Sequence, residues 1–269
     1  MIILEKKLNI VIIGTGNVSS HIATSFQNKK EINLLQAFNH KASKRTRDYS
    51  KKFNCAVVTG YNKINTSADI YIIAIKDDVI NEVVKNLIPL KLKGLIAHTS
   101  GSIDLAILKN ASDQIGVYYP LQTFYAGAEI DWSTTPLLIE SNNKTGLSKL
   151  KELADLISKN VKVVNSTNRL RLHLAAVFAN NFTNALYVSA YELIEKNLGK
   201  KDTSLLFPIM QQSFNKLKTV HPKQAQTGPA VRNDQIVIKK HLSLLKDNKE
   251  LSSVYKLLSQ LIIHQQEKK

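Results

Sequence analysis

The sequence has few of the residues that build cross-linked, metal-binding or membrane-spanning proteins. Its 269 residues include one cysteine, Cys55, which excludes an internal disulfide and is typical of the reducing cytoplasm. No run of about 18 apolar residues predicts a transmembrane helix, and residues 1–13 lack the cleavage site of a secretory signal. No HExxH, CxxC or acid-rich cluster predicts a metal site. We therefore expect a cytoplasmic protein without a membrane contact or a bound metal.

Acidic residues are also scarce. The chain has 21 Asp and Glu against 37 Lys and Arg, which gives a net charge of +16. Such a surplus raises the question of nucleic-acid binding, but the lysines are spread along the chain without an aromatic-rich basic cluster or zinc-finger spacing. We therefore favour a lysine-rich surface over a nucleic-acid partner. Part of that charge is expected to attract an anionic cofactor.

A glycine-rich turn near the N-terminus is the most specific motif that is present. In LNIVIIGTGNVSSHIATSF, residues 8–26, a buried strand stops at Gly14 and an amphipathic helix follows Gly16. Gly14 permits a tight turn, Gly16 lets the backbone approach a pyrophosphate, and the helix N-terminus offers free N–H groups. Ser19 departs from the third position of the G-x-G-x-x-G fingerprint. The motif predicts dinucleotide binding by Gly14, Thr15, Gly16, Asn17 and Val18; the alternatives are a tight turn in an unrelated α/β protein, or a domain that has lost its cofactor.

Strand-like and helical patterns alternate along the first part of the chain. Strands are predicted at 8–13, 34–38, 56–58, 70–75, 95–97, 116–118, 136–139 and 161–164, with a helix over 145–160. This alternation predicts an α/β fold with a doubly wound, mostly parallel sheet. Beyond Ser166 every pattern is helical, which predicts an all-α region. We expect a cofactor domain over 1–165, and a helical domain over 166–269 that binds substrate and forms a dimer.

The segment after the second strand bears on the choice of cofactor. NAD-selective domains place an acid there to hold the ribose 2′-hydroxyl, but no acid occurs before Asp48. A neutral and cationic loop fits a 2′-phosphate better, so we favour NADP over NAD. The residues expected to bind there are Asn39, Ser43, Lys44 and Arg45. The alternative is that Lys44 and Arg45 belong only to the lysine-rich surface.

Polar side chains follow three more strands of the predicted sheet. Because ligands of open α/β sheets lie at the carboxyl ends of the strands, these groups should line the site. The residues expected near the nicotinamide ribose are Ala74, Ile75 and Lys76. The residues expected around the substrate are His98 and Ser100 as catalytic groups, with Thr99, Gln122 and Thr123 binding it. Asp77 and Asp78 are expected to cap the next helix rather than to act in catalysis, and the alternative for Ser100 and Ser102 is that they cap a helix over 103–108.

The helical half adds further candidates. A long helix is predicted over 168–198, ending before Gly199. It is apolar around much of its circumference and is therefore expected to be buried, for instance in a subunit interface. Asp202 should cap the next helix, and Pro208 should end its first turn or kink it. Two more helices are predicted over 234–246 and 249–265, after a turn at 227–229.

Four polar residues of this half are candidate site residues. The catalytic candidates are His173 and Asn181, and the substrate-binding candidates are Asn180 and Arg232. Spacing places His173 and Asn180 on nearly the same face of the long helix. The alternatives are a structural histidine, polar groups that satisfy each other across a dimer interface, and an ion pair of Arg232 with Asp234.

Several of these segments together resemble a known family. The segments are IVIIGTGNVSSHIA, ADIYIIAIKDDVI, IAHTSGS, YYPLQTF, HLAAVFANNFTNAL and TGPAVRND. They look like the NADP oxidoreductases that join a Rossmann-like N-terminal domain to a C-terminal domain of unknown function. That family is similar to pyrroline-5-carboxylate reductase and to the F420-dependent NADP oxidoreductases. The resemblance implies a helical domain like that of 6-phosphogluconate dehydrogenase, and a homodimer through the helices. The 6-phosphogluconate and hydroxy-acid dehydrogenases place a lysine on the long helix, where this chain has His173.

Two functions follow as hypotheses. The first is an NADP-dependent oxidoreductase that transfers a hydride between the nicotinamide and a small imine or carbonyl substrate held between the domains. The second is a non-catalytic NADP-binding sensor or regulatory dimer that keeps the glycine turn without turnover. NADPH oxidation with a panel of imines and carbonyls discriminates between them.

Overall fold

The structure, a computed structural model, describes residues 7–267. The chain divides into two compact units, one up to Ala179 and one from Asn180. The first unit contains an eight-stranded sheet with the strand order β3-β2-β1-β4-β5-β6-β7-β8. The strands are β1 (Leu8–Ile13), β2 (Ile32–Phe38), β3 (Ala56–Val58), β4 (Ile70–Ile73), β5 (Leu95–His98), β6 (Ile115–Pro120), β7 (Leu137–Ser141) and β8 (Val161–Val163).

Helices connect the strands and continue into the second unit. They are α1 (Asn17–Phe26), α2 (Lys44–Phe53), α3 (Ile80–Leu87), α4 (Lys144–Asp155), α5 (Ser166–Ala176), α6 (Thr183–Asn197), α7 (Phe207–Lys216), α8 (Pro222–Ala225), α9 (Gln235–Leu244) and α10 (Lys249–Glu267). Val177–Phe182, between α5 and α6, is a π-helical segment. Short 3₁₀ helices occur at Tyr61–Lys63, Asp77–Val79, Ile88–Leu90, Leu105–Leu108 and Lys200–Leu206.

The sheet is mostly parallel, as predicted, and the fold class is confirmed. The exception is the pairing of β6 with β7, which is antiparallel, so β7 and its parallel neighbour β8 run opposite to the other strands. The central strand β4 is buried along its whole length, which explains why its sequence IYII is apolar without alternation. Apolar side chains cover both faces of the sheet: Ile72 belongs to the cluster on one face, and Ile73 to the cluster on the other.

The register brings polar residues of three strands onto one face. His98 of β5 lies opposite Val117 of β6, and Val117 lies opposite Glu140 of β7. Tyr119 lies two residues beyond Val117 and therefore on the same face. The carboxyl ends of β1, β4, β5 and β6 lie side by side, so the segments that follow them share one edge of the sheet.

Helix α5 belongs to the first unit. Its Arg169 is almost fully buried and makes an ion pair with Glu140 of β7, and it also donates to the carbonyl oxygen of Ile103. The Ser166 hydroxyl donates to Glu140 at 2.8 Å. The contacts therefore group α5 with the sheet, whereas the predicted domain boundary before residue 166 stays a prediction.

The second unit differs from the predictions in three places. The predicted long helix is interrupted by the π-helical segment, and α6 has no buried residue among those described, so its expected burial in a subunit interface stays a prediction. Asp202 does not cap a helix, because Gly199 stands at the N-cap of the 3₁₀ helix. Pro208 lies in the first turn of α7, where its missing N–H costs nothing. Gly199 follows α6 with a φ of 117°, as expected for a helix stop.

Within residues 7–267, no helix is both long enough and apolar enough to cross a membrane.

Candidate functional site

The glycine turn after β1 has the geometry of a phosphate-binding site. Gly14 has a φ of 113°, and a Cβ atom there would lie 2.3 Å from the Ala74 carbonyl oxygen, so glycine is required. A Cβ atom at Gly16 would meet nothing within 4 Å, which leaves space above the backbone. Gly16 is the N-cap of α1, and within the described chain no side chain caps the N-terminus of this helix. Its first N–H groups can therefore bind an anion.

Ser19 explains the departure from the glycine fingerprint. Its buried hydroxyl donates to the Gly14 carbonyl oxygen at 2.7 Å and shares a hydrogen bond of 2.8 Å with the Tyr49 hydroxyl. Burial raises the pKa of Tyr49 well above its usual range, so this phenol keeps its proton. The Ser19 hydroxyl thus stabilises the turn from its buried side, and a glycine or alanine at this position would leave the Tyr49 hydroxyl without this partner.

The segment after β2 lies beside the glycine turn. The Thr15 hydroxyl donates to the Asn39 side chain at 3.3 Å. Ser43 is the N-cap of α2, where its hydroxyl accepts from the Thr46 N–H, and Lys44 is exposed in the first turn. The Arg45 guanidinium reaches back to α1 and donates from Nη2 to Asn17 Oδ1 at 2.9 Å. A cation on α2 therefore lies against the first residue of the helix that would hold the pyrophosphate.

His98 occupies the end of β5 and is fully buried. Its Nδ1 accepts from the Ser100 N–H at 3.2 Å, so the neutral ring carries its proton on Nε2. Nε2 has no well-aligned hydrogen bond among residues 7–267. Burial, reinforced by the Arg169 charge, lowers the pKa of His98 to about 4. His98 is therefore neutral at physiological pH and supports the loop that follows it.

The loop after β5 is tied to β4 through a carboxylate. Asp77 accepts from the hydroxyls of Ser100 and Ser102, at 2.7 and 2.6 Å. Ser100 Oγ also accepts from the N–H groups of Ser102 and Ile103. Neither Asp77 nor Asp78 makes a side-chain cap, so the prediction that they cap the next helix is wrong. The cap expected from Ser100 and Ser102 is supplied by Asp104, whose carboxylate accepts from the Ala106 N–H.

A tyrosine and a histidine meet beside this loop. The Tyr119 hydroxyl and His173 Nδ1 share a hydrogen bond of 3.1 Å. Gly101 fits between the loop and this pair: a Cβ atom there would lie 2.6 Å from His173 Nδ1 and 2.8 Å from Tyr119 Cζ. Burial, and then the Asp77 charge, raise the pKa of Tyr119. Tyr119 therefore presents a protonated hydroxyl next to an imidazole.

The ion pair of Arg169 and Glu140 holds α5 against β7 one helical turn before this histidine. Arg169 and His173 are four residues apart on α5 and share one face. Arg169 also donates to the carbonyl oxygen of Ile103, which follows the loop that is hydrogen-bonded to Asp77. Sequence reasoning missed Arg169, Glu140 and Tyr119 as site residues. Only the i, i+4 spacing of Arg169 and His173 was visible in the sequence, since Glu140 and Tyr119 come from strands whose register the sequence does not determine.

The remaining predicted residues lie in several places. Thr99 donates to the Ile73 carbonyl oxygen, and exposed Gln122 accepts from the Thr123 N–H. Val18 lies in the first turn of α1, and Ala74, Ile75 and Lys76 follow β4 at the same edge of the sheet.

Three predicted residues belong to the second unit and not to the first. Asn180 and Asn181 are exposed in the π-helical segment, and Arg232 is exposed before α9. Asp234 caps α9 by accepting from the Val237 N–H, and no ion pair joins it to Arg232 in the described chain. The roles predicted for these three residues stay predictions.

Among residues 7–267, no group of three histidine, cysteine or acidic side chains is placed to hold a metal ion.

Comparison with protein families matches two parts of the chain. Residues 9–101 match the family described as NADP oxidoreductase coenzyme F420-dependent, and residues 135–262 match the Domain of unknown function (DUF2520). No curated protein matches the chain.

Solved structures extend the likeness over nearly the whole chain. An imine reductase from Myxococcus stipitatus in complex with NADP⁺ is 16% identical, with a TM-score of 0.61, over 94% of this chain and 92% of that one. A pyrroline-5-carboxylate reductase from Coxiella burnetii is 14% identical, with a TM-score of 0.56, over 98% of both. These two share the fold.

A third structure is much more similar in sequence. It is a protein from Bacteroides fragilis assigned as an NADP oxidoreductase, with a TM-score of 0.89 and 33% identity over 96% of this chain and 98% of that one. At this identity and coverage, the chain belongs to the NADP oxidoreductase family, with the Domain of unknown function (DUF2520) as its C-terminal part.

Proposed function

We propose that the protein is an NADP-dependent reductase that transfers a hydride between NADP(H) and a small imine or carbonyl substrate. One observation carries this proposal: the glycine turn after β1 and the Tyr119–His173 pair at the carboxyl end of β6 lie at the same edge of one sheet. Three strand spacings separate β1 from β6, which is about 14 Å. The segments after β4 and β5 lie between them and form the floor of the site.

The residues at the glycine turn fit a phosphorylated dinucleotide. The α1 N-terminus and the open backbone at Gly16 would hold the pyrophosphate. Arg45 and Lys44, with Asn39 and Ser43, would hold the 2′-phosphate, because the segment offers cations and hydroxyls but no acid. When bound, NADPH supplies the hydride. The imine reductase relative was solved with NADP⁺, which supports the same assignment here.

The Tyr119–His173 pair would supply the proton that the reduction needs. Reduction of a neutral imine or carbonyl adds a hydride to carbon and a proton to nitrogen or oxygen. The Tyr119 hydroxyl donates that proton, and His173, protonated at Nδ1, replaces it along their hydrogen bond. Proton balance is then restored from solvent at the imidazole. His98, Ser100 and Asp77 act as positioning residues, because they shape the loop that holds Gly101 against this pair.

A homodimer through the helical unit is part of this proposal. Many large apolar side chains of that unit are exposed in the single chain, for instance Phe207, Ile209, Phe214 and Leu257. Exposed apolar side chains in such number favour a partner that covers them, and a second copy of the chain is the natural partner.

Turnover by the purified protein tests the reductase. NADPH oxidation is followed with a panel of small cyclic imines and carbonyl compounds. Tyr119→Phe and His173→Gln should lower kcat by about 100-fold, because general acid catalysis contributes about that much or more. NADPH affinity should not change in either variant.

Tyr118→Phe is the matched control, because Tyr118 is the neighbouring phenol on the opposite face of the sheet and its buried hydroxyl has no hydrogen-bond partner among residues 7–267. It should keep the activity of the unmodified protein. NADPH binding without oxidation across the whole panel would contradict the reductase and favour the sensor.

A further inference from the structure

The long loop between β6 and β7, which we call the Phe124 loop (residues 121–136), is a closed unit. Leu121 N–H donates to the Pro136 carbonyl oxygen at 2.9 Å and closes the base. Inside the loop, the rings of Phe124 and Trp132 are stacked with their centroids 5.8 Å apart. Asp131 accepts from Ser133 and Thr134, and these hydrogen bonds lower its pKa. Compact loops whose ends meet are frequently functional.

This loop lies on the helix that follows the glycine turn. The Asn17 Nδ2 group donates to the Phe124 carbonyl oxygen at 3.5 Å, and His21 Nε2 donates to the Tyr125 carbonyl oxygen at 2.9 Å. The His21 and Phe124 rings are in contact, with centroids 5.2 Å apart. Asn17 and His21 are four residues apart on α1, so one face of the helix carries all these contacts.

The other end of the Asn17 carboxamide faces Arg45. Its Oδ1 accepts from Arg45 Nη2 at 2.9 Å. The orientation of the amide is chemically determined, because a guanidinium only donates and a carbonyl oxygen only accepts. One side chain therefore links the cation after β2 to a backbone carbonyl in a loop 107 residues away.

We propose that Asn17 is a specificity-determining residue that couples recognition of the 2′-phosphate by Arg45 to the position of the Phe124 loop. This inference rests on the proposed NADP binding. A guanidinium has five N–H donors in a planar fork, so Arg45 binds a phosphate with other donors while Nη2 stays on Asn17. An immobilised Arg45 orders the Asn17 amide, and the amide holds the loop against α1.

Thermodynamic reciprocity gives this coupling two consequences. NADP⁺ stabilises the closed loop more than NAD⁺ does, because only NADP⁺ has the phosphate that fixes Arg45. Contacts that close the loop in turn raise the affinity for NADP⁺ more than the affinity for NAD⁺. His21, which contacts the loop and not Arg45, must therefore influence the choice of cofactor.

The single tryptophan provides the measurement. Trp132 is the only tryptophan in the sequence and lies in the Phe124 loop, so quenching of its emission by acrylamide reports the loop. Oxidised NADP⁺ and NAD⁺ are used at saturation, with both dissociation constants measured by calorimetry. In the unmodified protein, NADP⁺ should protect Trp132 clearly more than NAD⁺.

Two variants separate coupling from a local effect. Asn17→Ala should abolish the difference in protection and lower the affinity ratio of NADP⁺ to NAD⁺ by about fivefold or more, the range of allosteric couplings. His21→Ala should lower that ratio in the same direction, with the NAD⁺ affinity within about twofold. If Asn17 only oriented Arg45, His21→Ala would leave the ratio unchanged. Asn86→Ala is the matched control, since this exposed asparagine donates only to Glu82 of its own helix.

The outcomes distinguish this inference from the function on which it rests. Binding of both dinucleotides with equal protection of Trp132, or an unchanged ratio in His21→Ala, overturns the coupling and leaves the reductase intact. Absence of any dinucleotide binding by the unmodified protein overturns both.

Discussion

The two units of this chain differ in where their apolar side chains lie. In the first unit, apolar residues of the sheet are buried on both faces, and β4 is inaccessible along its whole length. In the second, only three apolar residues between Asn180 and Glu267 are buried, namely Ala230, Ile238 and Leu245, while large side chains such as Leu244 are exposed. The first unit thus contains its own core, and the second needs a further surface to cover its helices.

This difference predicts that truncation of an apolar side chain lowers the free energy of unfolding much more in the first unit than in the second. Ile72→Ala, in β4, should lower the free energy of unfolding by about 2–5 kcal/mol. Leu244→Ala, at a side chain that is 82% exposed, should lower it by less than about 0.5 kcal/mol in dilute protein. Denaturant unfolding at several protein concentrations checks both values. An equal cost for the two variants in dilute protein would contradict the contrast between the units.

Acid should act on the first unit through His98. Its pKa is about 4 in the folded chain and about 6.5 when unfolded, so the unfolded state binds the proton first as pH falls. The neutral ring contributes stability that is complete above pH 6.5 and is lost between about pH 6.5 and 4, by about 3 kcal/mol. His98→Gln should remove this part of the pH dependence, as seen in urea unfolding at a series of pH values. His241→Gln, at an exposed histidine of the second unit, should retain the full pH dependence. If His98→Gln lost as much stability between about pH 6.5 and 4 as the unmodified protein, His98 would not be the group responsible.

The exposed helices should associate with a second copy. Leu257→Glu on α10 should raise the dimer dissociation constant by at least about 100-fold, or about 2.7 kcal/mol, because a charge replaces an apolar anchor. Ile88→Glu, at an exposed apolar residue of the first unit, should leave association unchanged. Sedimentation velocity measures both variants, and a monomeric unmodified protein would rule out the proposed dimer.

The smallest expected effect is on activity within the first unit. Gly101→Ala should lower kcat by about tenfold, which is about 1.4 kcal/mol, because the new Cβ atom displaces the Tyr119–His173 pair. Gly60→Ala should be neutral, since the one close contact of its Cβ atom would be the flexible end of the Asn62 side chain, with Lys63 at an ordinary van der Waals distance. Steady-state kinetics with NADPH separate the two, and full activity in Gly101→Ala would show that the pair is not needed in its present geometry.

The sequence predicted the sheet better than the site. The strand at residues 8–13 was predicted with its observed bounds, because a run of apolar residues before a glycine has few other interpretations. No signal in the sequence pairs Arg169 with Glu140, and the burial of Arg169 follows from its ion pair with this residue of β7. Tyr119 and His173 are 54 residues apart, and their contact depends on how α5 packs on β6. The cytoplasmic location and the roles of Asn180, Asn181 and Arg232 stay predictions.

The central claim is that the first unit contains an NADP site at its glycine turn, and calorimetric titration with NADPH tests it most directly. We expect one site per chain, at least about tenfold tighter for NADPH than for NADH, since a charge-assisted phosphate contact is worth about 1.5–3 kcal/mol. Gly14→Ala should abolish binding, because its Cβ atom would lie 2.3 Å from the Ala74 carbonyl oxygen. Failure of the unmodified, folded protein to bind NADPH, or unchanged binding by a folded Gly14→Ala variant, would contradict the claim.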